Sequence, residues 1–124
     1  MVKSSELRIG NYYNEFGITK IADPNLILKL YQIEIAGKTA IDVSPIPLTE
    51  KILIKCGFYT EHCTSYSTKK PIKYITYHKS SFTFNPLQNN WWYEGKILRT
   101  QPKYVHQLQN LIFALTGTEL EINL

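Results

Sequence analysis

Residues 104–117 read YVHQLQNLIFALTG, and the reading of this stretch decides the fold. Tyr104, Leu108, Leu111 and Leu115, with Val105 and Ile112 beside them, recur at helical spacing and make one apolar stripe. Gly117 supplies the left-handed residue at which such a helix stops. The spacing predicts an amphipathic helix from about Lys103 to Thr116, docked on whatever the preceding residues build. His106, Gln109, Asn110 and Phe113 fall on the other side. Glutamine and asparagine there can be solvated, can bond an adjoining loop, or can line a site. Such residues are mostly exposed, so a surface position with a loop contact is the expectation.

Working backwards, residues 58–98 are rich in aromatic and β-branched side chains, the composition of strands. Strands are expected at 58–61, 72–78, 82–85 and 91–98, the last interrupted at Gly95, with a turn at 86–90. They suit an antiparallel meander. Thr49 followed by Glu50 opens a central helix that buries Ile52, Leu53 and Cys56 and stops at Gly57. Pro45 and Pro47 end a strand through Ile41 and Val43. Asp23-Pro24 starts a short helix over 26–30, after which Ile33 and Ile35 alternate like a strand. At the beginning, 6–13 reads as a strand entering a Gly10-Asn11 turn, with 18–21 as its return.

The expected fold is therefore α+β: an antiparallel meander packed against a C-terminal amphipathic helix and a shorter central helix. With 124 residues and no repeat or Gly/Pro/Ser-rich linker, the chain reads as a single domain, 1–124. A chain of this length buries roughly two thirds of its unfolded surface. The hydrophobic fraction of 44% and aromatic fraction of 13% exclude a disordered chain. No apolar run approaches the roughly 20 residues that span a bilayer, and the start lacks the apolar core of a signal peptide. A cytoplasmic protein with no membrane partner is expected. Cys56 and Cys63 read as free thiols. His62 beside Cys63 lacks the paired spacing of a zinc site, so no metal is expected.

Neither a nucleophile motif nor GxGxxG, a P-loop or HExxH occurs, and His62, His78 and His106 lie in separate segments. No catalytic residue, no cofactor and no enzymatic activity are expected. A site around His106 would need a pocket that brings it beside another titratable group.

The net charge of +4 is uneven. Residues 1–68 hold seven basic and seven acidic side chains, whereas Lys69, Lys70, Lys73, Lys79, Lys96, Arg99 and Lys103 face only Glu94 within 69–103. Aromatics interleave with these cations: Tyr74, Tyr77, Phe82, Phe84, Trp91, Trp92 and Tyr93. A sheet with lysines at its edge and aromatics on its face can hold a phosphate backbone and stack bases, or meet an acidic protein face. Alternation assigns half of these aromatics to the core. Trp91 and Trp92 point to opposite faces, so one of them is expected at the surface, where tryptophan beside positive charge makes a binding hot spot. The expected partner-binding residues are Lys69, Lys70, Lys73, Lys79, Trp91, Trp92, Lys96 and Arg99.

Three motifs, LRIGNY at 7–12, PIPLTE at 45–50 leading to Gly57-Phe58, and the stretch 104–117, span nearly the whole chain. In them the protein resembles a family of small, largely uncharacterised proteins encoded by phages, prophages and bacterial mobile elements. It departs from the family form at Lys51 and Ile52, where an acid and a tryptophan are usual, and at Ile112, where an aromatic is common. The resemblance brings no activity and no catalytic residues. It implies a noncatalytic binding protein that inhibits a host defence complex, similar in kind to anti-CRISPR inhibitors of type VI-B RNA-guided ribonucleases. Such a protein engages the nuclease on an acidic face or at its guide-RNA channel. The alternative is a direct single-stranded nucleic-acid binder in phage replication or gene regulation.

Overall fold

In chain order the elements are a 3₁₀ turn Ser4–Glu6, β1 Tyr12–Glu15, β2 Ile18–Ile21, α1 Pro24–Ile35, β3 Val43–Ser44, α2 Glu50–Lys55, β4 Phe58–Thr64, β5 Pro71–Tyr77, β6 Phe82–Asn85, β7 Asn90–Tyr93, β8 Lys96–Ile97 and α3 Val105–Thr116. The computed structural model describes residues 4–38, 43–64, 71–77, 82–86, 89–99 and 101–122, with the side chains of 62–64, 71–74 and 77 left out. The fold is α+β, with one antiparallel sheet ordered β2-β1-β3 and a second ordered β4-β5-β6-β7-β8. The chain makes two compact units, Met1–Leu48 with Pro102–Leu120, and Thr49–Gln101 with Glu121–Leu124.

In the first unit, β1 and β2 form a hairpin whose two turn residues, Phe16 and Gly17, have φ of 51° and 76°. A two-residue turn with both φ positive matches the twist of a hairpin, and glycine takes that conformation without strain. The first strand starts later than the sequence suggests. Residues 4–6 are a 3₁₀ turn, and Leu7 drops into the core with Tyr13, Ala22, Leu26, Leu30 and Val43. α1 runs on past the expected 26–30 to include both Ile33 and Ile35, which the alternation had placed in a strand. Ile33 packs on the core from a position three after Leu30 and seven after Leu26, the helical spacing. Asp23 caps the N-terminus by accepting from Leu26 N at 2.8 Å, with Pro24 following it. Of the expected 41–43 strand, Ile41 lies outside the described residues, and Val43 pairs with Glu15.

The chain leaves this unit after Leu48 and returns at Pro102. The two crossings are zipped together: Leu48 N donates to Lys103 O at 2.9 Å, Val105 N to Ile46 O at 2.8 Å, and Pro47 bridges Tyr104. α3 follows directly and packs on β1. Gln107 reaches back from its first turn to accept from Lys103 N and Tyr104 N, and Gly117, at φ 70°, closes its far end.

The second unit opens with α2. Thr49 Oγ1 accepts from Ile52 N at 3.2 Å, Leu53 and Cys56 are buried, and Ile52 is half-buried. The meander follows, each strand antiparallel to the next. The expected 91–98 strand is a hairpin, β7 and β8, turning at Glu94 and Gly95 with φ of 49° and 79°. One face of the sheet is core: Phe58, Ile75, Phe82 and Trp91 are buried. Trp91 meets Phe58 edge-on at 5.7 Å and Phe84 at 5.0 Å between ring centres.

Candidate functional site

The polar residues of α3 are the first candidates, and the structure turns the helix relative to its expected orientation. Val105, His106, Leu108, Gln109 and Ile112 are buried, while Leu115 is exposed and Leu111 half-buried. His106 and Gln109 are thus interior residues and not surface ones. The reason lies in what they face. Gln109 Oε1 accepts from Tyr12 N at 2.9 Å and from Asn11 Nδ2 at 3.4 Å, and its amide donates to Gly10 O at 3.3 Å. A helix docked on backbone amides needs an amide side chain at that position.

Asn110 continues the clasp. Its Oδ1 accepts from Asn11 Nδ2 at 2.9 Å and Arg8 Nε at 3.1 Å, and its amide donates to Glu6 O at 3.1 Å. Asn11 Oδ1 accepts from Arg8 N at 2.6 Å. Arg8 spans the outside, paired through both terminal nitrogens with Glu119 and lying 4.3 Å over the Phe113 ring. The Arg8 hydrogen bond holds the Glu119 carboxyl below the usual carboxylate range. The LRIGN and HQLQN motifs are therefore two halves of one hydrogen-bonded lock.

His106 is the exception inside it. Its ring is 1% exposed and stacks on Tyr104 at 6.0 Å, and among the described residues neither ring nitrogen has a hydrogen-bond partner. Nε2 lies 3.8 Å from Glu6 Oε2. This is the second titratable group an enzymatic reading requires, but the ring is closed off from any substrate in this conformation. Burial pushes the imidazole below its ordinary pKa, against the opposing pull of Glu6. The unfolded chain then takes up the proton first as pH falls. Stability is expected to decline below the ordinary histidine range of about 6.5 until the folded pKa is passed. Urea midpoints between about pH 7.5 and 5, on either side of that range, check this: His106→Phe, which keeps the stacking, is expected to flatten the decline, and an unchanged profile contradicts the assignment.

The expected basic and aromatic site lies in the second unit. Lys69, Lys70 and Lys79 fall outside the described residues. Lys73 sits in β5 opposite His62, its side chain likewise undescribed. Trp91 is 2% exposed and belongs to the core, which corrects its place among the accessible binding residues. Trp92 is the outward partner, half-buried, its indole N–H donating to Asn90 Oδ1 at 3.0 Å. Lys96 and Arg99 are exposed on and just after β8.

Register shows what Trp92 stands beside. Tyr59 pairs with Thr76, Thr76 with Thr83, Thr83 with Trp92 and Trp92 with Ile97. Directly opposed residues share a face, so these five form one row across all five strands on the side away from the core. Tyr59 and Ile97, at its ends, are 40% and 53% exposed. Sequence reasoning missed this row because alternation gives each strand two faces but does not say which residues of neighbouring strands meet.

The charge divides with the units. The second carries eight basic and four acidic residues, the first six of each, so the whole net charge of +4 belongs to the second. Cys56 is buried, its thiol pushed up to about 11, far from a reactive thiolate at neutral pH. Among the described residues no group of three or more His, Cys, Asp or Glu is placed to hold a metal ion. No described helix is long and apolar enough to cross a membrane. Comparison of the chain with protein-family models, with curated proteins and with solved structures finds no match in any of the three.

Proposed function

We propose that this is a noncatalytic binding protein that inhibits a host defence complex, and that the complex is an RNA-guided nuclease. The observation that carries the binding reading is the charge division: an electroneutral first unit and a second unit holding all of the positive excess. A field concentrated on one unit attracts an acidic partner and speeds encounter with it. The partner class rests on the resemblance of the three motifs to phage and mobile-element proteins. Inhibition by occupancy is stoichiometric. Titrating the protein into a purified type VI-B nuclease with its guide RNA is expected to stop cleavage near one molecule per complex, with both proteins co-eluting on size exclusion. Inactivation far below that ratio indicates turnover and an enzyme, and full cleavage at tenfold excess rejects the reading.

The basic segment favours a second reading, a direct single-stranded nucleic-acid binder in phage replication or regulation. It requires affinity for free RNA or DNA that falls steeply with salt and weakens when Lys69, Lys70 and Lys73 are replaced by alanine.

A further inference from the structure

Apolar surface is divided as unevenly as charge, and in the opposite sense. Of the twelve large hydrophobic residues exposed among the described residues, all but Ile54, Tyr59 and Ile97 belong to the electroneutral first unit. Phe16, Ile18 and Ile21, exposed by 75%, 61% and 56%, lie together on the β1–β2 hairpin, at one edge of the three-stranded sheet. We infer that the outer edge of β2 is a self-association site, where a second copy of this chain adds its own β2 antiparallel and extends the sheet across a two-fold axis. This goes beyond the function proposed above and does not depend on the partner named there.

The backbone supplies the first reason. The two-residue turn makes Glu15 and Ile18 a hydrogen-bonded pair, and alternation makes Tyr13 and Lys20 the next. The ladder keeps this phase beyond β2, where Ala22 N donates to Asn11 O at 2.7 Å. Thr19 and Ile21 therefore aim their N–H and C=O groups away from β1. Among the described residues none of these four groups is hydrogen-bonded. An exposed, β-branched edge without proline is a template for another strand. The opposite edge of the sheet differs, because β3 runs directly into Pro45, which has no N–H to offer.

Self-complementarity identifies the occupant. Outward groups pair only with outward groups, so two copies of β2 meet only in registers that set odd-numbered residues against odd-numbered ones. The register that sets Thr19 opposite the second copy's Ile21, repeated by symmetry, uses all four outward groups and no turn residue. It places Lys20 opposite the second copy's Lys20. Each ammonium lies 3.5 Å from Glu15 Oε1 of its own chain, so each approaches as half of an ion pair. The first unit carries six basic and six acidic residues, and two copies that meet through it bring no net charge together. A strongly charged partner gains nothing from that balance. Ile18 and Ile21, three apart, flank the edge on opposite faces. Pairing buries roughly 400 Å² per copy, about half of a standard interface, which makes a weak dimer that forms at micromolar concentration and above.

Sedimentation velocity on the full chain, from about 5 to 500 µM, is expected to move from a 14.4 kDa species towards one of twice that mass. Thr19→Pro deletes an outward donor and no backbone bond to β1, and Ile21→Lys adds a charge at an exposed position. Each is expected to weaken dimerisation tenfold or more. Lys20→Met removes the like charges from the axis and keeps the apolar stem, and is expected to tighten the dimer about threefold. Lys20→Cys places one thiol per chain on the axis, where directly opposed Cα atoms lie about 4.5 Å apart, within disulfide reach. It is expected to cross-link under mild oxidation, whereas wild type and Thr19→Cys are not. Unchanged thermal midpoints show that the variants fold; should Thr19→Pro and Ile21→Lys unfold, absence of the Lys20→Cys cross-link still overturns the inference. A monomer at every concentration overturns it and leaves the proposed function standing. A dimer that withstands Thr19→Pro and Ile21→Lys overturns it as well, and its loss in Tyr31→Glu places the contact on the exposed Leu28, Tyr31 and Ile35 of α1. Cross-linking by Thr19→Cys and not by Lys20→Cys overturns the inferred pairing.

Discussion

Gln109→Leu is expected to destabilise the first unit by roughly 2–4 kcal/mol, the sum of desolvation penalties for buried groups that lose a partner. Leucine fills nearly the same volume, so the loss is polar and not a cavity. Three bonds go at once: to Tyr12 N, Asn11 Nδ2 and Gly10 O. Gln109 is buried, as is Asn11, so water has no easy route to replace them. Domains of this kind are stable by about 5–15 kcal/mol in total, which makes the expected loss a large share. Both tryptophans belong to the second unit, so their fluorescence is the wrong probe. Amide exchange in α3 and β1 reads the first unit directly. Asn110→Ala, at a half-buried position that water reaches, is expected to cost less. Equal or negligible losses in the two variants would show that the lock adds nothing beyond surface hydrogen bonds.

That lock also marks the limit of what the sequence reveals. The helical period of 104–116 is plain in the apolar residues, and Gly117 marks its end. The orientation is not plain, because hydropathy ranks Gln109 as outward whereas a glutamine facing backbone amides is an interior residue. Only the identity of the facing segment, Gly10 to Tyr12, decides between the two. Ile33 and Ile35 pose a similar ambiguity: two apolar residues spaced by two fit a strand, yet Ile33, three from Leu30 and seven from Leu26, fits a helix equally well. The meander is legible because period-two alternation and the turn residues at 86–90 and 94–95 agree with each other. The crossings at 48–49 and 101–102 leave no linker composition to detect, since ordered backbone bonds between Leu48 and Lys103 and between Ile46 and Val105 hold them.

For the candidate site, alternation separates Trp91 from Trp92 but cannot say which is inward. The contacts around Trp91 do. Its backbone N–H donates to Gln101 Oε1 at 2.6 Å, its carbonyl accepts from Leu98 N at 2.9 Å, and its ring closes against Phe58 and Phe84. Trp91→Ala is therefore expected to cost the second unit about 3–5 kcal/mol, the usual range for deleting a buried tryptophan. Trp92→Ala removes a half-buried ring from an open face and is expected to cost about 1 kcal/mol or less. Urea unfolding followed by the fluorescence of the remaining tryptophan compares the two directly, and Trp91→Phe, which retains an aromatic edge for Phe58, is expected to fall between them. Similar midpoints for the two alanine variants would mean that Trp91 does not anchor the core. Loss of partner binding in Trp91→Ala then follows from unfolding, whereas loss in Trp92→Ala comes from a protein that is still folded, and that difference separates a structural tryptophan from an interface one.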